Sequence, residues 1–309
     1  MNNKLLVLGT MAYDAIETPF GKTGRILGGC ATYIGLAASH FKTQCGLISI
    51  IGGDFESKYL DLLKEKKLDL KGVVQLKEEK TFFWSGKYHN DLNTRTTLET
   101  QLNVLTKFNP EVPSKFKDAR IVLLGNLDPN IQLEVLNQMT TRPDLVIMDT
   151  MNFWIESYRE KLDQLIARVD VISINDEEAR QLTQKYSLVE AAQELMAQGP
   201  RYVIIKKGEH GALLFHGNDI FCTPGLPLEE VFDPTGAGDS FIGGFTAFLV
   251  QQEKISFEEM KTAIIIGSAM ASFTVQEFGT KALENLSYGE LVKRIQSFKS
   301  LTEFEIELI

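Results

Sequence analysis

The chain has 309 residues, 44% of them hydrophobic, and its 32 Lys and Arg against 41 Asp and Glu give a net charge of −9. That length suits one large α/β domain with insertions, 1–309, better than two equal halves, and the apolar fraction supports a sizeable core. No basic patch stands out, so nucleic acid and anionic membrane are poor partners on electrostatic grounds. Cys30, Cys45 and Cys222 are odd in number and far apart, with neither a CxxC pair nor a disulfide framework, which points to a reducing, cytoplasmic setting. His40, His89, His210 and His216 lack metal-ligand spacing. The longest uncharged runs, 26–41 and 262–276, are shorter than a membrane span and predict buried helices.

In chain order, residues 4–9 form a short apolar run ending in Gly, a buried strand, and Gly28-Gly29 opens a helix of small and apolar residues reaching Phe41. A second strand over 45–51 closes at Gly52-Gly53-Asp54, and Tyr59, Leu62 and Leu63 fall at helical spacing within 55–66. This β, α, β, α order favours a parallel sheet with helices on its faces. Between 73 and 105 the pattern changes: 81–88 and 94–100 are rich in Thr and aromatics with no helix between them, a small antiparallel insertion or an edge hairpin. Alternation then resumes, with strands at 121–124, 145–148, 171–174 and 202–205 and helices at 131–139, 158–168 and 176–185, a doubly wound pattern. Ligands in such sheets lie beyond the carboxyl ends of the strands, where Gly9, Gly125-Asn126, Asp149, Asn175 and Lys206 all sit.

The densest chemistry is at 232–245. Asp233-Pro234-Thr235 forms a turn, Gly236 and Gly238 permit positive φ and close approach of a ligand, and Phe241, Phe245, Phe248 and Leu249 mark one face of a helix from Ser240 to Val250. Asp239 is either a first-turn acid or a carboxylate beside an anion site at the helix start. A cap needs no glycine at the third and first positions before it, whereas a turn folded around phosphate does. Two commoner phosphate fingerprints are absent: Phe241 stands where GxGxxG needs Gly, and Ile16 where a P-loop ending in Gly21-Lys22-Thr23 would need its first Gly. Asn175 and Glu178, three apart, match a capping box, and 206–212 matches a glycine hairpin with solvated lysines. The small face of 267–273 suits close packing against the Asp239 helix, and Asp14 suits a turn.

The run Asp233-Pro-Thr-Gly-Ala-Gly-Asp-Ser-Phe241 resembles the signature of the ribokinase-like (PfkB) carbohydrate kinase family. The resemblance spans nearly the whole chain, is strongest from Asn175 to Gly279, and implies a ribokinase-like fold with a β-rich lid formed by 12–27 and 73–105. It further implies an anion hole from the amides of Gly236, Ala237 and Gly238, with Asp239 as catalytic base. Asn175 and Glu178 would belong to the Mg²⁺ environment through water. Lys206, Lys207, Gly208 and Gly211 would border ATP, either lysine screening its phosphates, and Ser268 and Ser272 would flank an adenine slot. Asp14, Gly28 and Gly29 would hold sugar hydroxyls. A monovalent cation and a homodimer through the lid are further family traits.

One departure matters: family members commonly have Asn four residues after the second glycine, and this chain has Tyr33. Its ring is read either as core, as a surface for a sugar's apolar face, or as a platform for a base. The expected activity is transfer of the γ-phosphate of ATP to a hydroxyl, a primary alcohol, of a small carbohydrate. The alternative is a nucleoside (adenosine-like) kinase of the same fold, toward which Tyr33, Gly267-Ser268-x-x-Ala271 and Glu277-x-Gly279 lean. An inactive nucleotide-binding regulator is the reading against which intact Gly236, Gly238, Asp239, Asn175 and Glu178 argue. A nicotinamide dehydrogenase fails for want of a glycine fingerprint after the first strand.

Overall fold

A computed structural model describes residues 2–303 and 305, so residues 1, 304 and 306–309 of the expected 1–309 domain lie outside the described residues. The chain begins β1 (Lys4–Leu8), β2 (Ala12–Thr18), β3 (Gly21–Lys22), β4 (Ile26–Gly28), α1 (Cys30–Ala38), β5 (Gln44–Gly52), α2 (Ser57–Glu65) and β6 (Asp69–Leu76). There follow β7 (Phe83–Tyr88), β8 (Arg95–Gln101), β9 (Ile121–Leu124), α3 (Pro129–Asn137), β10 (Leu145–Met148), α4 (Asn152–Ser157) and α5 (Arg159–Ile166). Then come β11 (Val171–Asn175), α6 (Asp176–Thr183), α7 (Leu188–Gln198), β12 (Tyr202–Lys206), β13 (Ala212–His216) and β14 (Asp219–Thr223). Four helices end the chain: α8 (Ala237–Leu249), α9 (Phe257–Thr274), α10 (Lys281–Asn285) and α11 (Tyr288–Thr302).

Nine strands make one sheet in the order β14-β13-β12-β11-β10-β9-β1-β5-β6, parallel from β6 to β12 and antiparallel through β13 and β14. The central strands read as unbroken apolar runs because both of their faces are covered. Leu5, Val7, Ile121 and Leu123 face a core shared with α1, α8 and α9, while Leu6, Leu8, Val122 and Leu124 face a second core with Leu165, Leu182 and Leu195. The chain winds outward from β1 through β5 to β6, then returns to β9 and winds the other way. The switch point therefore falls between β1 and β9, and a crevice opens at their carboxyl ends.

A second sheet has the order β3-β2-β7-β8, with β4 also paired to β2. It unites the two expected lid stretches, with two differences. Residues 73–76 belong to β6 on the edge of the large sheet, where they pair with β5, so the second lid stretch starts later than 73. The insertion is also not wholly antiparallel: β7 and β8 are, but β2 and β7 run parallel. Each is a matter of which open edge captures a strand, and local composition does not encode that. Among the described residues no helix is long and apolar enough to cross a membrane.

Candidate active site

The turn before α8 is fixed by a buried carboxylate. Asp233 accepts the Thr235 amide through Oδ1 and the Gly279 amide through Oδ2, both at 2.9 Å, tying the turn to the loop that follows α9. Gly236 caps α8 with φ of 76°, and a Cβ there would collide with the Tyr33 ring, so both backbone and space demand glycine. Gly238, by contrast, is helical. Its bareness serves a neighbour: an added Cβ would lie 3.2 Å from Lys206 Nζ.

The expected trio of anion-hole amides needs one correction. The Ala237 N–H donates to the Pro234 carbonyl at 3.2 Å and is committed to the turn. Among the described residues the amides of Gly236, Gly238 and Asp239 donate to no backbone carbonyl, so the unpaired donors at this helix start are those three. The helix also begins at Ala237 rather than Ser240, which puts Asp239 inside its first turn.

Charges crowd this point. The half-buried Asp239 carboxyl is pushed up to about 7, first by burial and then by Asp149, against the pull of Lys206 and Arg95. Glu178 is pushed up to about 7 by burial and by Asp149. Lys206 Nζ lies 3.3 and 3.5 Å from the Asp149 oxygens. Burial works to lower its pKa, but Asp149, Glu178 and Asp239 together hold it above the ordinary lysine range. Asn175 and Glu178 form a reciprocal capping box, with Asn175 Oδ1 accepting the Glu178 amide at 2.7 Å and Glu178 Oε2 accepting the Asn175 amide at 2.8 Å. Three carboxyls around one lysine leave an electron-rich pocket. Among the described residues no cluster of three or more His, Cys, Asp or Glu side chains has the geometry of a metal centre. That chemistry fits Mg²⁺ held through its water shell, with Asn175, Glu178 and Asp149 as outer partners.

Across the crevice, Asp14 is buried and pushed up to about 7 by burial and then by Asp233, with the Gly29 amide opposing. Gly28 lies against its carboxylate, and Gly29 leads into α1. Between them and the large sheet, the Cys30 Sγ accepts the Thr10 amide at 3.1 Å.

Of the readings open for Tyr33, the structure fits the core one and not the substrate-binding one. Tyr33 is 1% exposed, packed under the Gly236 turn, so its ring offers no face to a sugar or base. Its hydroxyl is buried with no hydrogen-bond partner among the described residues. Ser272 is also engaged: its hydroxyl donates to the Ala269 carbonyl at 2.7 Å and accepts from Arg294 at 2.9 Å, which leaves Ser268 as the half-buried serine of that face. Of the two lysines, Lys206 ends β12 pointing at Asp149 and Gly238, while Lys207 uses its amide to close the loop onto the Gly211 carbonyl at 2.8 Å. Gly208 and Gly211 give that loop its left-handed residues, with φ of 55° and 85°.

Several contacts had no signal in the sequence. The lid residue Tyr88 meets Thr235 hydroxyl to hydroxyl at 3.2 Å, and Asn93 donates to Glu209 at 2.7 Å, across 147 and 116 residues of chain. Trp154 donates to Asn126 at 2.9 Å, within an aromatic cluster with Phe153 and Tyr158 beyond β10.

The description "pfkB family carbohydrate kinase" matches residues 2–286. A cytidine kinase of Thermococcus kodakarensis is 31% identical over 249 residues, covering 79% of this chain and 87% of that protein. A nucleoside kinase of Methanothermobacter thermautotrophicus is 27% identical over 308 residues, covering 94% of each. The solved nucleoside kinase of Burkholderia thailandensis, in complex with ADP and inosine, superposes with a TM-score of 0.80 at 21% identity, covering 96% of both chains. The chain belongs to the pfkB family of carbohydrate kinases, phosphotransferases whose acceptor is a hydroxyl group.

Proposed function

We propose that this protein transfers the γ-phosphate of ATP to a hydroxyl of a ribose-containing acceptor, with Asp239 as the general base. The observation that carries the reading is Asp239 itself: a carboxyl with a pKa of about 7 in the first turn of α8, beside unpaired amides and Lys206. A base tuned near neutrality combines availability with proton-accepting power, and such a base contributes about 10²–10⁴-fold in rate. Asp239 takes the acceptor's proton as its oxygen attacks phosphorus in line. The amides of Gly236, Gly238 and Asp239, the α8 dipole and Lys206 receive the charge of the transferring phosphoryl group. Mg²⁺, when bound, supplies neutralisation of the phosphate charge, with Asn175, Glu178 and Asp149 facing its water shell. Asp14, backed by Gly28 and Gly29, orients the acceptor's hydroxyls, and the nucleotide lies along Gly208, Gly211 and Ser268.

A nucleoside is the first reading of the acceptor, supported by the cytidine and nucleoside kinases among its relatives and by the aromatic cluster of Phe153, Trp154 and Tyr158 beyond the carboxyl end of β10. A free sugar is the second, favoured by the burial of Tyr33, which removes one aromatic surface a base could have used. ADP release measured across pentoses, hexoses, phosphorylated sugars and nucleosides, with Asp239→Asn as the blank, decides between them. A nucleoside signal above the blank supports the first reading, a sugar signal alone replaces it with the second, and silence with ATP still bound removes both. The cytoplasmic assignment rests on three free cysteines. The homodimer is assigned to the open edge of β8, the outer strand of the small sheet, and a strict monomer in sedimentation at micromolar concentration rejects it.

A further inference from the structure

The turn that carries Asp239 hangs on the end of α9. The Val275 carbonyl, one residue beyond that helix, accepts the amides of Phe232 at 2.8 Å and Asp233 at 3.3 Å. Four residues further on, the Gly279 amide donates back to Asp233 Oδ2 at 2.9 Å, and Asp233 is fully buried. The turn therefore takes part of its position from 275–279, and that stretch is held in turn by a side chain of α11 that the chemistry of the site does not use.

Arg294 lies in the middle of α11 and straddles the last turn of α9. Its Nη1 donates to Ser272 Oγ and its Nη2 to Gln276 Oε1, each at 2.9 Å, and its guanidinium carbon stands 3.9 Å from the centre of the Phe273 ring. Ser272 is buried and its own proton goes to the Ala269 carbonyl at 2.7 Å, so its oxygen is already oriented to receive the arginine. Ser272 and Gln276 are four residues apart with Val275 between them, and a planar fork that grips both fixes distance and direction together, which an ammonium does not. Burial lowers the pKa of Arg294, opposed by the charge of Glu290, a carboxylate spent on the cap of α11 at Ser287. An apolar side chain would join the two helices as well as this half-buried cation does. What the fork adds is a fixed setting for the carbonyl from which the Asp233 turn hangs.

We propose that Arg294 is a positioning residue: by clamping Ser272 and Gln276 it sets the Val275 carbonyl and, through the Phe232 and Asp233 amides, the turn that carries Asp239. Its effect on turnover rests on the kinase reading, and hydrogen exchange tests the clamp apart from that reading. Full-length wild type, Arg294→Met, Arg294→Lys and Gln276→Leu are compared, below the unfolding transition of each, by amide exchange and by turnover on the best acceptor of the panel. In Arg294→Met, exchange across 232–239 is expected to quicken about tenfold or more while 121–124, in the centre of the large sheet, keeps its wild-type rate. Turnover falls by about 10–10²-fold, the scale of a small displacement at the reacting centre, with the KM for ATP within about threefold of wild type. The pH midpoint of kcat/KM moves below 7 as water reaches Asp239, a shift that a loss of stability alone does not produce. Arg294→Lys keeps the charge without the fork and recovers only part of these effects. Gln276→Leu cuts one of the two links and falls between wild type and Arg294→Met, and combining it with Arg294→Met adds little.

Wild-type exchange across 232–239 in Arg294→Met overturns the proposal whatever the activity. If that variant does not fold, Gln276→Leu decides, and a wild-type exchange rate and pH midpoint there overturn it. A raised KM for ATP with unchanged kcat assigns Arg294 to the nucleotide site and overturns it as well. Faster exchange in Arg294→Met, when the wild type phosphorylates no acceptor, leaves the clamp standing and removes the kinase reading.

Discussion

The turn that starts α8 and the hairpin that covers it serve one pocket, but they are built in opposite ways. The turn is contiguous: Asp233, Gly236, Gly238 and Asp239 lie within seven residues, locked by a buried carboxylate and backed by the core residue Tyr33. The hairpin is an exposed strand, β8, held down at Tyr88–Thr235 and Asn93–Glu209 by single hydrogen bonds between distant residues. On the proposed kinase reading, a rigid floor would keep charge where the reaction needs it, and a cover tethered at two points would be the part free to open. The difference is between a floor locked by contiguous buried contacts and a cover held by two hydrogen bonds from far along the chain.

The strongest test of the floor is Asp239→Asn, expected to keep ATP binding and lose turnover by about 10²–10⁴-fold. Near-normal turnover would dissolve the contrast, because the floor would then carry no chemistry. The same substitution should raise the melting temperature at pH 8 more than at pH 5. Asp14, Glu178 and Asp239 are each pushed up to about 7, above their unfolded values, so their contribution favours folding at low pH and is lost as pH rises through 7. Thermal melts of the two proteins across that range check the sign.

Gly236→Ala attacks the geometry of the floor without touching its charge. Positive φ and collision with Tyr33 predict a loss of about 1–3 kcal/mol in stability, read by urea unfolding, with turnover falling as the turn shifts. A variant as stable as wild type would show the turn to be looser than its contacts suggest. The pH profile sharpens the same point: kcat/KM should rise about tenfold per unit below pH 7 and level off above it, because the base must be ionised. A flat profile from pH 5 to 8 excludes a base with this pKa. The smallest effect belongs to the cover. Asn93→Ala removes one exposed hydrogen bond, about 0.5–1.5 kcal/mol, and should raise the KM for ATP by a few-fold while lowering the melting temperature by only about 1–3 °C. A large drop in melting temperature would mean that the hairpin is part of the rigid body after all.

Features that depend on neighbours along the chain were readable before any folding was known. Alternation of apolar runs and helices gave the doubly wound sheet, the spacing of Asn175 and Glu178 gave their capping box, and the run from Asp233 to Phe241 marked the turn into α8 and the carboxylate in its first turn. These features are legible because turn propensity, caps and periodicity act over a few residues. The remaining features came from contacts between distant segments, and each placement below depends on them. Folding placed 73–76 on the edge of the large sheet, chose Lys206 over Lys207 for the pocket, and committed the Ala237 amide to the turn. It sank Tyr33 beneath Gly236 and swung Tyr88 and Asn93 over the site from far along the chain. Each outcome is a competition among distant partners for one edge, one cavity or one hydrogen bond, and its winner is set by packing and burial, which a local pattern does not record.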